Sequence, residues 1–469
     1  MVRWRLIIFL LFVNLSSSQV IITDGEVQRR IRDLKSMDNM AEASAVLISA
    51  GQMAVPGLLD LVKDKNLDPY VRTKAIELLG EIGSQSAVGP LIGLLNEPQS
   101  TVRAEAARTL GRLKGVEAVP ELIKLLQDRH DAVRGEAIQA LGLIGDNRAL
   151  IPLINASNDE VFINRAKVMW ALGELRDSRS QSVLIAGTKD SFAVVRANAA
   201  LSLGRIGDST SFYYLEPLLF DEDFSVREKA IQALGLIGGT KAVRAIGRLA
   251  RDEMAVVRLS VIKMLESLGT VEGGVMILVL CQDNDTVVAG QANAAAQKIS
   301  DNDLLEIVAN DSLNISLRRK ALNILKSKME EERVLQLLLI TFKNSPAEYI
   351  QAIVEERVIK GMNREQVKLS LGEPETWQIT PEGEEIWTYV GQCPVESKNP
   401  WSDLYNKKFQ SEKNKILADE WIAKYKPNNE GFIVETINTW YIPGIGPYER
   451  KMYNNIGVNV FVLELKGIK

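Results

Sequence analysis

The sequence contains almost none of the side chains that usually bind transition metals. His130 is the only histidine, and Cys281 and Cys393 are the only two cysteines among 469 residues. Because a zinc site takes three or four clustered His, Cys or acidic ligands, these three residues exclude a usual zinc centre. His130 is expected to be a solvated loop residue. Cys281 lies in an apolar run, so we expect a buried core thiol and no disulfide with Cys393.

Motifs that carry chemistry are also missing. The chain has neither a glycine-rich phosphate loop of the Walker type nor a Gly-x-Ser-x-Gly elbow. The formal net charge of -4 argues against nucleic acid as a partner. Carboxylates are plentiful, so an active site built from convergent acids in a deep pocket stays open as an alternative. The prediction is a protein without enzymatic activity and without a cofactor.

What the sequence does contain is a repeat of 31 residues. An arginine recurs at this period, with leucine seven places later and then glycine in six of seven copies. An acidic residue stands six places before each arginine after the first, and Asp283 continues the acidic series by one step. A fixed period of this length predicts a solenoid. The arginines are Arg72, Arg103, Arg134, Arg165, Arg196, Arg227 and Arg258.

Each repeat predicts two antiparallel helices. After Arg103, the apolar residues Ala106, Ala107 and Leu110 form one stripe of a helix. The glycine after the leucine is interpreted as a helix end, where positive φ is needed. A second helix follows, and Pro120 stands at its start, where a missing N–H costs nothing. Since one pair cannot bury both of its stripes, the pairs stack into an all-α solenoid.

The acidic and arginine columns predict an Asp–Arg ladder along the loops. The acid precedes a helix, where its carboxylate can accept hydrogen bonds from free backbone N–H groups. Stacking brings equivalent residues of neighbouring repeats together, so Asp190→Ala or Arg196→Ala is expected to cost about 1–3 kcal/mol. An anion-binding strip is the functional alternative, but the recurring acid would neutralise it.

These features resemble the HEAT-repeat family: a helix pair, a proline opening the second helix, and an Asp followed six places later by an Arg. The short period is most similar to the HEAT-like repeats of phycobilisome lyases. The resemblance covers roughly residues 40–330 and implies the fold, while a bilin lyase-like enzyme is one alternative function. We predict a solenoid over residues 19–345, with a diverged first repeat and a degenerate last copy around Arg318.

The first 18 residues are typical of a signal peptide. Arg3 and Arg5 precede an apolar run from Leu6 to Leu15, which is too short to span a membrane. Ser16 and Ser18 are the small residues expected before cleavage, which places the mature N-terminus near Gln19. An uncleaved anchor is the alternative. The prediction is an exported protein, periplasmic or extracellular.

Residues 346–469 predict a small α+β domain. Gly361-Met362 precedes a short helix capped by Asn363, with Val367 and Leu371 on its apolar face, and a strand follows at 385–390. This stretch resembles the SmpA/OmlA family of outer-membrane lipoprotein domains, which implies peripheral contact with the outer membrane. The chain departs from that family because it lacks the lipid-bearing cysteine and carries an insertion at about 391–430. Leu417, Trp421 and Tyr425 lie at helical spacing in the insertion.

Two surfaces are candidates for protein binding. Trp170 and Leu201 break an otherwise polar column, five places after the arginine, in consecutive repeats. They form either an exposed apolar patch or part of the helix packing. The second helices carry the other candidate, a tyrosine and arginine cluster typical of an interface hot spot or, alternatively, of core tyrosines beside solvated arginines. Its residues are Tyr213, Tyr214, Arg244 and Arg248.

The function predicted from these patterns is an exported HEAT-repeat scaffold that binds another protein and catalyses no reaction. The SmpA/OmlA resemblance leaves an envelope assembly factor as an alternative. The identity of the partner is not encoded in any motif of the sequence, since fold does not determine function.

Overall fold

The computed structural model describes residues 22–36, 39–356, 364–373 and five strands within 376–466. The predicted signal peptide, the helix cap Asn363, and Leu417, Trp421 and Tyr425 of the insertion lie outside the described residues. The chain divides into two compact units, Met1–Ala245 and Ile246–Lys469, and each is described by itself. The boundaries predicted at 18 and 345 stay predictions.

The first unit is a helical repeat solenoid, as predicted. Long first helices alternate with shorter second helices, and most second helices follow a 3-10 turn, such as Val116–Ala118. A helix at Asp24–Asp33 precedes the first pair and was not predicted. The other helices are Met40–Ala50, Val55–Lys63, Pro69–Ile82, Val88–Leu94, Ser100–Arg112, Val119–Leu125, Asp131–Ile144, Leu150–Asn155, Phe162–Leu175, Gln181–Gly187, Ala193–Ile206, Phe212–Leu215 and Phe224–Ile237; Gly239–Gly247 crosses into the second unit.

The apolar stripes form the core of the stack. Ala106, Ala107 and Leu110 are fully buried, while Arg108 of the same helix is exposed. Pro120 lies in the first turn of its helix, as predicted. Among the described residues, the stretch Met40–Lys63 matches a membrane span by length and composition alone. Gly51 at φ +58° divides this stretch into two helices that bury Leu47 and Leu58 in the repeat core.

The interpretation of the glycine column as helix ends is wrong. Gly204 lies inside helix Ala193–Ile206, and the residue with positive φ is Gly207, three places later, at +76°. A Cβ atom on Gly204 would lie 2.5 Å from the Cα of Ala233 in the next repeat. The same crowding recurs at Gly111, where a Cβ atom would lie 2.7 Å from the Cα of Ala140. The column therefore permits close approach of neighbouring first helices.

The second unit continues with helix pairs. Its helices are Ala255–Leu268, Val271–Leu280, Thr286–Ala296, Asp301–Ala309, Ile315–Lys328, Glu331–Thr341, Ala347–Val354 and Arg364–Leu371. Two later helices pack on this part of the unit: Ala347–Val354 contacts Glu331–Thr341, and Arg364–Leu371 contacts Ala347–Val354 and Ile315–Lys328. Val367 is buried and Leu371 half-buried, and Gly372, at φ +94°, follows the end of the helix.

The strands of the second unit are β1 (Thr376–Ile379), β2 (Glu385–Pro394), β3 (Asn438–Ile442), β4 (Gly446–Asn455) and β5 (Val458–Lys466). They pair in the order β1-β2-β5-β4-β3, and each neighbouring pair is antiparallel. Their register places Trp387 opposite Leu465. That these strands belong to a separate α+β domain of SmpA/OmlA type stays a prediction.

Candidate interaction surface and the ladder beneath it

The predicted ladder is confirmed, and each rung joins two repeats. Arg165 donates from Nε to Asp190 Oδ2 at 2.8 Å and from Nη2 to Asp190 Oδ1 at 3.1 Å. The planar guanidinium thus donates two parallel hydrogen bonds to the carboxylate. Asp190 Oδ1 also accepts the backbone N–H of Phe192 at 2.9 Å, as expected for an acid ahead of a helix. Rungs of this form include Arg103–Asp128, Arg134–Asp159, Arg165–Asp190, Arg196–Asp221 and, in the second unit, Arg258–Asp283.

Each arginine also holds the loop of its own repeat. Arg196 Nη1 donates to the backbone carbonyls of Asp190 at 2.9 Å and Ser191 at 3.2 Å. Its Nε and Nη2 bind the side chain of Asp221, which lies 25 residues downstream. Asp190 and Arg196 therefore belong to neighbouring rungs, and one arginine links the loops of two successive repeats.

The terminal arginines depart from this pattern in a similar way. Arg72, in the first unit, donates from Nε to the carbonyl of Val62 at 3.0 Å, and its nearest acid is Glu97 at 3.5 Å. Arg318, in the second unit, donates from Nε to the carbonyl of Val308 at 2.8 Å. Both side chains are buried. Arg318 also forms ion pairs with Asp311 at 2.8 Å and Glu365 at 2.7 Å, in place of a regular ladder acid.

The ladder lowers the pKa of its carboxyls. Hydrogen bonds from Arg165 lower the pKa of Asp190 below its ordinary value, against partial burial, which raises it. Arg258 lowers the pKa of Asp283 in the same way. For Asp128 and Asp159, burial is the largest influence and raises the pKa, but arginine and backbone hydrogen bonds together outweigh it and the pKa is lowered.

These lowered pKa values predict how stability depends on pH. The unfolded chain protonates these carboxyls near 3.8, whereas the folded chain protonates them at lower pH. Their contribution is therefore complete above 3.8 and is lost as the pH falls through the lower folded-state values. We expect this contribution to the melting temperature to hold from neutral pH to about pH 5 and to fall steeply below the ordinary value.

Calorimetry across this pH range checks the expectation, with Arg165→Met as the control. This variant removes the hydrogen bonds that lower the pKa of Asp190. Its melting temperature should start lower and fall less on acidification. Parallel acid profiles for the two proteins would contradict the assignment.

One loop edge of the first unit presents an apolar surface that the sequence analysis missed. We call it the loop-edge strip. Phe192, 44% exposed, stacks its ring on Phe162 with centroids 4.2 Å apart and planes 7° from parallel. The Arg165 guanidinium lies 5.7 Å from the Phe192 ring centroid, so the ladder supports the ring from below. The strip comprises Phe162, Ile163, Phe192, Val194, Phe220 and Phe224, and all but Phe162 are exposed.

Two exposed carboxylates border the strip. Glu160 precedes Val161 and Phe162, and Glu222 lies between Phe220 and Phe224; their side chains are 83% and 88% exposed. A signal for the strip existed in the sequence. Of the two positions three and four places before each arginine, one is phenylalanine in three consecutive repeats: Phe162, Phe192 and Phe224.

The structure places Trp170 and Leu201 in half-buried positions rather than in a fully exposed patch. Cζ3 of Trp170 lies 2.7 Å from the position that a Cβ atom on Gly142 would occupy, so the ring covers the preceding first helix. This contact favours the packing alternative for Trp170. Binding of a partner through Trp170 and Leu201 stays a prediction.

Tyr213 and Tyr214 are exposed, at 67% and 42%, and are not core residues. The cation that faces the Tyr213 ring is Lys241, with Nζ 5.9 Å from the ring centroid. Arg244 and Arg248 are exposed on the following helix and 3-10 turn, but Arg244 belongs to the first unit and Arg248 to the second. The predicted cluster thus divides at the boundary between the units.

The pattern of helix pairs, loop acids and arginines agrees with a comparison against protein families. HEAT repeats match residues 39–106, 55–142, 90–167, 152–223 and 215–297, which together span more than half of the chain. The chain belongs to the HEAT-repeat family. Among the curated proteins, a search finds no match.

A comparison with solved structures finds proteins similar to this chain over about half of its length. The complex of CpcE and CpcF of phycocyanin lyase from Nostoc sp. PCC7120 is 21% identical and covers 52% of this chain and 94% of that chain, with a TM-score of 0.36. Human deoxyhypusine hydroxylase in complex with glycerol is also 21% identical and covers 55% and 98%, with a TM-score of 0.26.

His130 and Cys281, the described residues with the most reactive side chains, occupy positions explained by the HEAT-repeat fold. His130 is the half-buried cap of helix Asp131–Ile144, and its Nε2 accepts from Arg129 Nε at 3.1 Å. Cys281 is a buried free thiol, as predicted, and burial raises its pKa. The described residues contain no group of three or more His, Cys, Asp or Glu arranged to hold a metal ion.

Proposed function

We propose that this protein is an exported HEAT-repeat scaffold that binds another protein and catalyses no reaction. The observation that carries the proposal is the loop-edge strip. Its apolar side chains project from three consecutive repeats, which neighbour one another at roughly 10 Å. Scattered exposed apolar side chains are ordinary, but a contiguous patch marks a contact surface.

The charged residues next to the loop-edge strip indicate which kind of partner it would bind. The side chains of Glu160 and Glu222 reach solvent, although Glu160 pairs with Arg134 at 3.2 Å and Glu222 lies 3.5 Å from Arg196. The loop around Glu222 reads Phe-Asp-Glu-Asp-Phe and adds two further carboxyls. A surface that is both aromatic and acidic complements a segment with lysine or arginine next to apolar anchors. The proposed partner is therefore a protein with an exposed basic and apolar segment.

The ladder makes this surface rigid before binding. Asp190 holds the backbone N–H of Phe192, and Arg165 holds both the Asp190 carboxylate and the face of the Phe192 ring. A loop fixed in this way loses little conformational entropy when a partner binds, which favours affinity. The ladder thus holds in place the loops that carry the phenylalanines of the loop-edge strip.

Selection of a random peptide display library on the immobilised protein tests the proposal. We expect the selected peptides to combine Lys or Arg with Leu, Phe or Trp. Phe192→Ser with Phe224→Ser should weaken their binding by at least about tenfold, because two aromatic anchors are lost. The control is Ile151→Ser with Leu236→Ser, two similarly exposed apolar residues outside the strip, and it should bind normally.

Acidic peptides, or peptides that bind the strip variant unchanged, would contradict this surface. The same peptides test the other two candidate surfaces. Loss of binding in Arg244→Glu with Arg248→Glu would move the site to the tyrosine and arginine cluster. For Trp170→Gln, weaker peptide binding at unchanged stability would identify Trp170 as a contact residue. A lower melting temperature at unchanged binding would identify it as a packing residue.

Export and the role of the C-terminal strands belong to this proposal too. The apolar run after Arg3 and Arg5 supports export to the periplasm or the exterior. The SmpA/OmlA resemblance supports peripheral contact with the outer membrane as part of the same proposal. An envelope assembly factor would then be a scaffold whose partner is a membrane-associated protein.

A further inference from the structure

The second unit contains a cavity of about 280 Å³ that the scaffold function does not use. One wall is a face of helix Ile315–Lys328, where residues three, four and seven places apart point the same way. The opposite wall is the end of helix Arg364–Leu371 with the turn that follows it. The lining residues are Gln282, Ile315, Ser316, Arg319, Lys320, Asn323, Lys368, Gly372 and Glu373.

The lining is strongly cationic. Arg319, Lys320 and Lys368 contribute positive charges, and Glu373 contributes the only carboxylate among the lining residues. Lys368 Nζ forms an ion pair with Glu373 at 2.7 Å. The formal net charge of the lining residues is therefore +2. The other polar lining residues, Gln282, Ser316 and Asn323, offer neutral hydrogen-bonding groups.

Gly372 lets the arginine approach this wall. A Cβ atom on Gly372 would lie 2.2 Å from Nη1 of Arg319, so the glycine leaves room for the guanidinium in its present position. Gly372 also has φ +94°, which other residues rarely adopt. Gly372 thus provides both the space and the backbone conformation that place the Arg319 guanidinium at the cavity wall.

We infer that this cavity binds a phosphate monoester of a small organic molecule. A guanidinium and an ammonium group that line one cavity, as Arg319 and Lys320 do, are suitable ligands for a phosphate dianion, since the planar fork bonds two oxygens and the lysine adds a point charge. The volume exceeds that of the phosphate alone and is close to the lower end of small-molecule sites, which run from about 300 Å³. Ile315 and Asn323 remain to contact the organic part.

Calorimetric titration of the full-length protein with glycerol 3-phosphate tests the inference, with inorganic phosphate, malate and glycerol as parallel ligands. We expect the ester to bind more tightly than inorganic phosphate, and malate and glycerol to bind weakly or not at all. Arg319→Gln with Lys320→Gln should reduce affinity for the ester by at least about tenfold, since hydrogen bonds to a charged group are lost. Asn323→Asp, at an exposed position, should also weaken binding by charge repulsion.

The control is Arg333→Gln with Lys343→Gln, which removes the same charge from exposed positions of the same unit. It should bind like the unmodified protein, and melting temperatures without ligand confirm that each variant folds. Equal binding by the Arg319 and Lys320 variant, or no binding by the unmodified protein, would overturn the site. Tighter binding of malate or of inorganic phosphate than of the ester would overturn the assigned ligand class.

Discussion

Gly204→Ala is expected to destabilise the repeat array by about 3 kcal/mol, although alanine is the better helix former. The added Cβ atom would lie 2.5 Å from Cα and 2.8 Å from the carbonyl oxygen of Ala233. Both are backbone atoms of the next repeat, so the methyl group is accommodated only if a whole helix shifts. Neighbouring repeats are coupled mainly through such interfaces, and loss of one interface weakens the stack on both sides.

Two matched glycines make this test specific. Gly93 also lies in a helix but has no atom within 4 Å of its Cβ position, so Gly93→Ala should stabilise the protein by about 0.5–1 kcal/mol. Gly80→Ala should be intermediate, because its Cβ would meet the side-chain methyl group of Thr109 at 2.9 Å, and that side chain can move. Urea denaturation midpoints rank the three variants. A neutral or stabilising Gly204→Ala would contradict the assignment of this column to close approach of neighbouring first helices.

The glycine column shows what a single sequence leaves undetermined. A glycine near the end of a helical run suits a positive φ and suits close packing equally well, and only the neighbouring helix distinguishes them. Gly207, which has the positive φ, has open space around its Cβ position, whereas Gly204 is crowded. The solenoid itself was predictable, because the period and the apolar stripe of each first helix recur without depending on distant contacts.

The candidate surface was predictable only in part, for a similar reason. The ladder follows from spacing, since stacking at a fixed period brings an arginine to the acid of the next loop. The loop-edge strip depends on four phenylalanines at three different offsets from the ladder arginine, which share an edge only after the loops are folded. Trp170 breaks a polar column in sequence, yet its ring covers Gly142 and is half-buried.

Breaking one rung of the ladder is the second large effect that we expect. The Arg196 and Asp221 side chains are 11% and 9% exposed and are joined by two hydrogen bonds of 2.8 Å. Arg196→Met removes these bonds and two more to backbone carbonyls, and it leaves the Asp221 carboxylate without its cation. We expect a loss of about 1–3 kcal/mol, because a poorly solvated charge is left uncompensated.

A double-mutant cycle separates the pair from its surroundings. Asp221→Asn keeps one oxygen to accept the backbone N–H of Asp223, which donates to Asp221 Oδ1 at 3.0 Å, and removes the charge together with the second acceptor oxygen. With Arg196→Met already present, Asp221→Asn should cost less than it does alone, and the difference is the coupling between the two side chains. Urea denaturation of the four proteins measures it, and additive losses would show that the ladder does not link the repeats.

The pair Arg179–Asp177 is a control because it has an ion-pair distance as short as that of a ladder rung but is exposed to solvent. Its Nη2–Oδ2 distance is 2.6 Å, as short as any rung, but Arg179 is 62% exposed and both residues belong to one turn. Arg179→Met should therefore leave the denaturation midpoint nearly unchanged, since solvent screens such pairs. If Arg179→Met and Arg196→Met shift the midpoint equally, then hydrogen-bond length rather than burial and the connection between repeats determines the stability of the ladder.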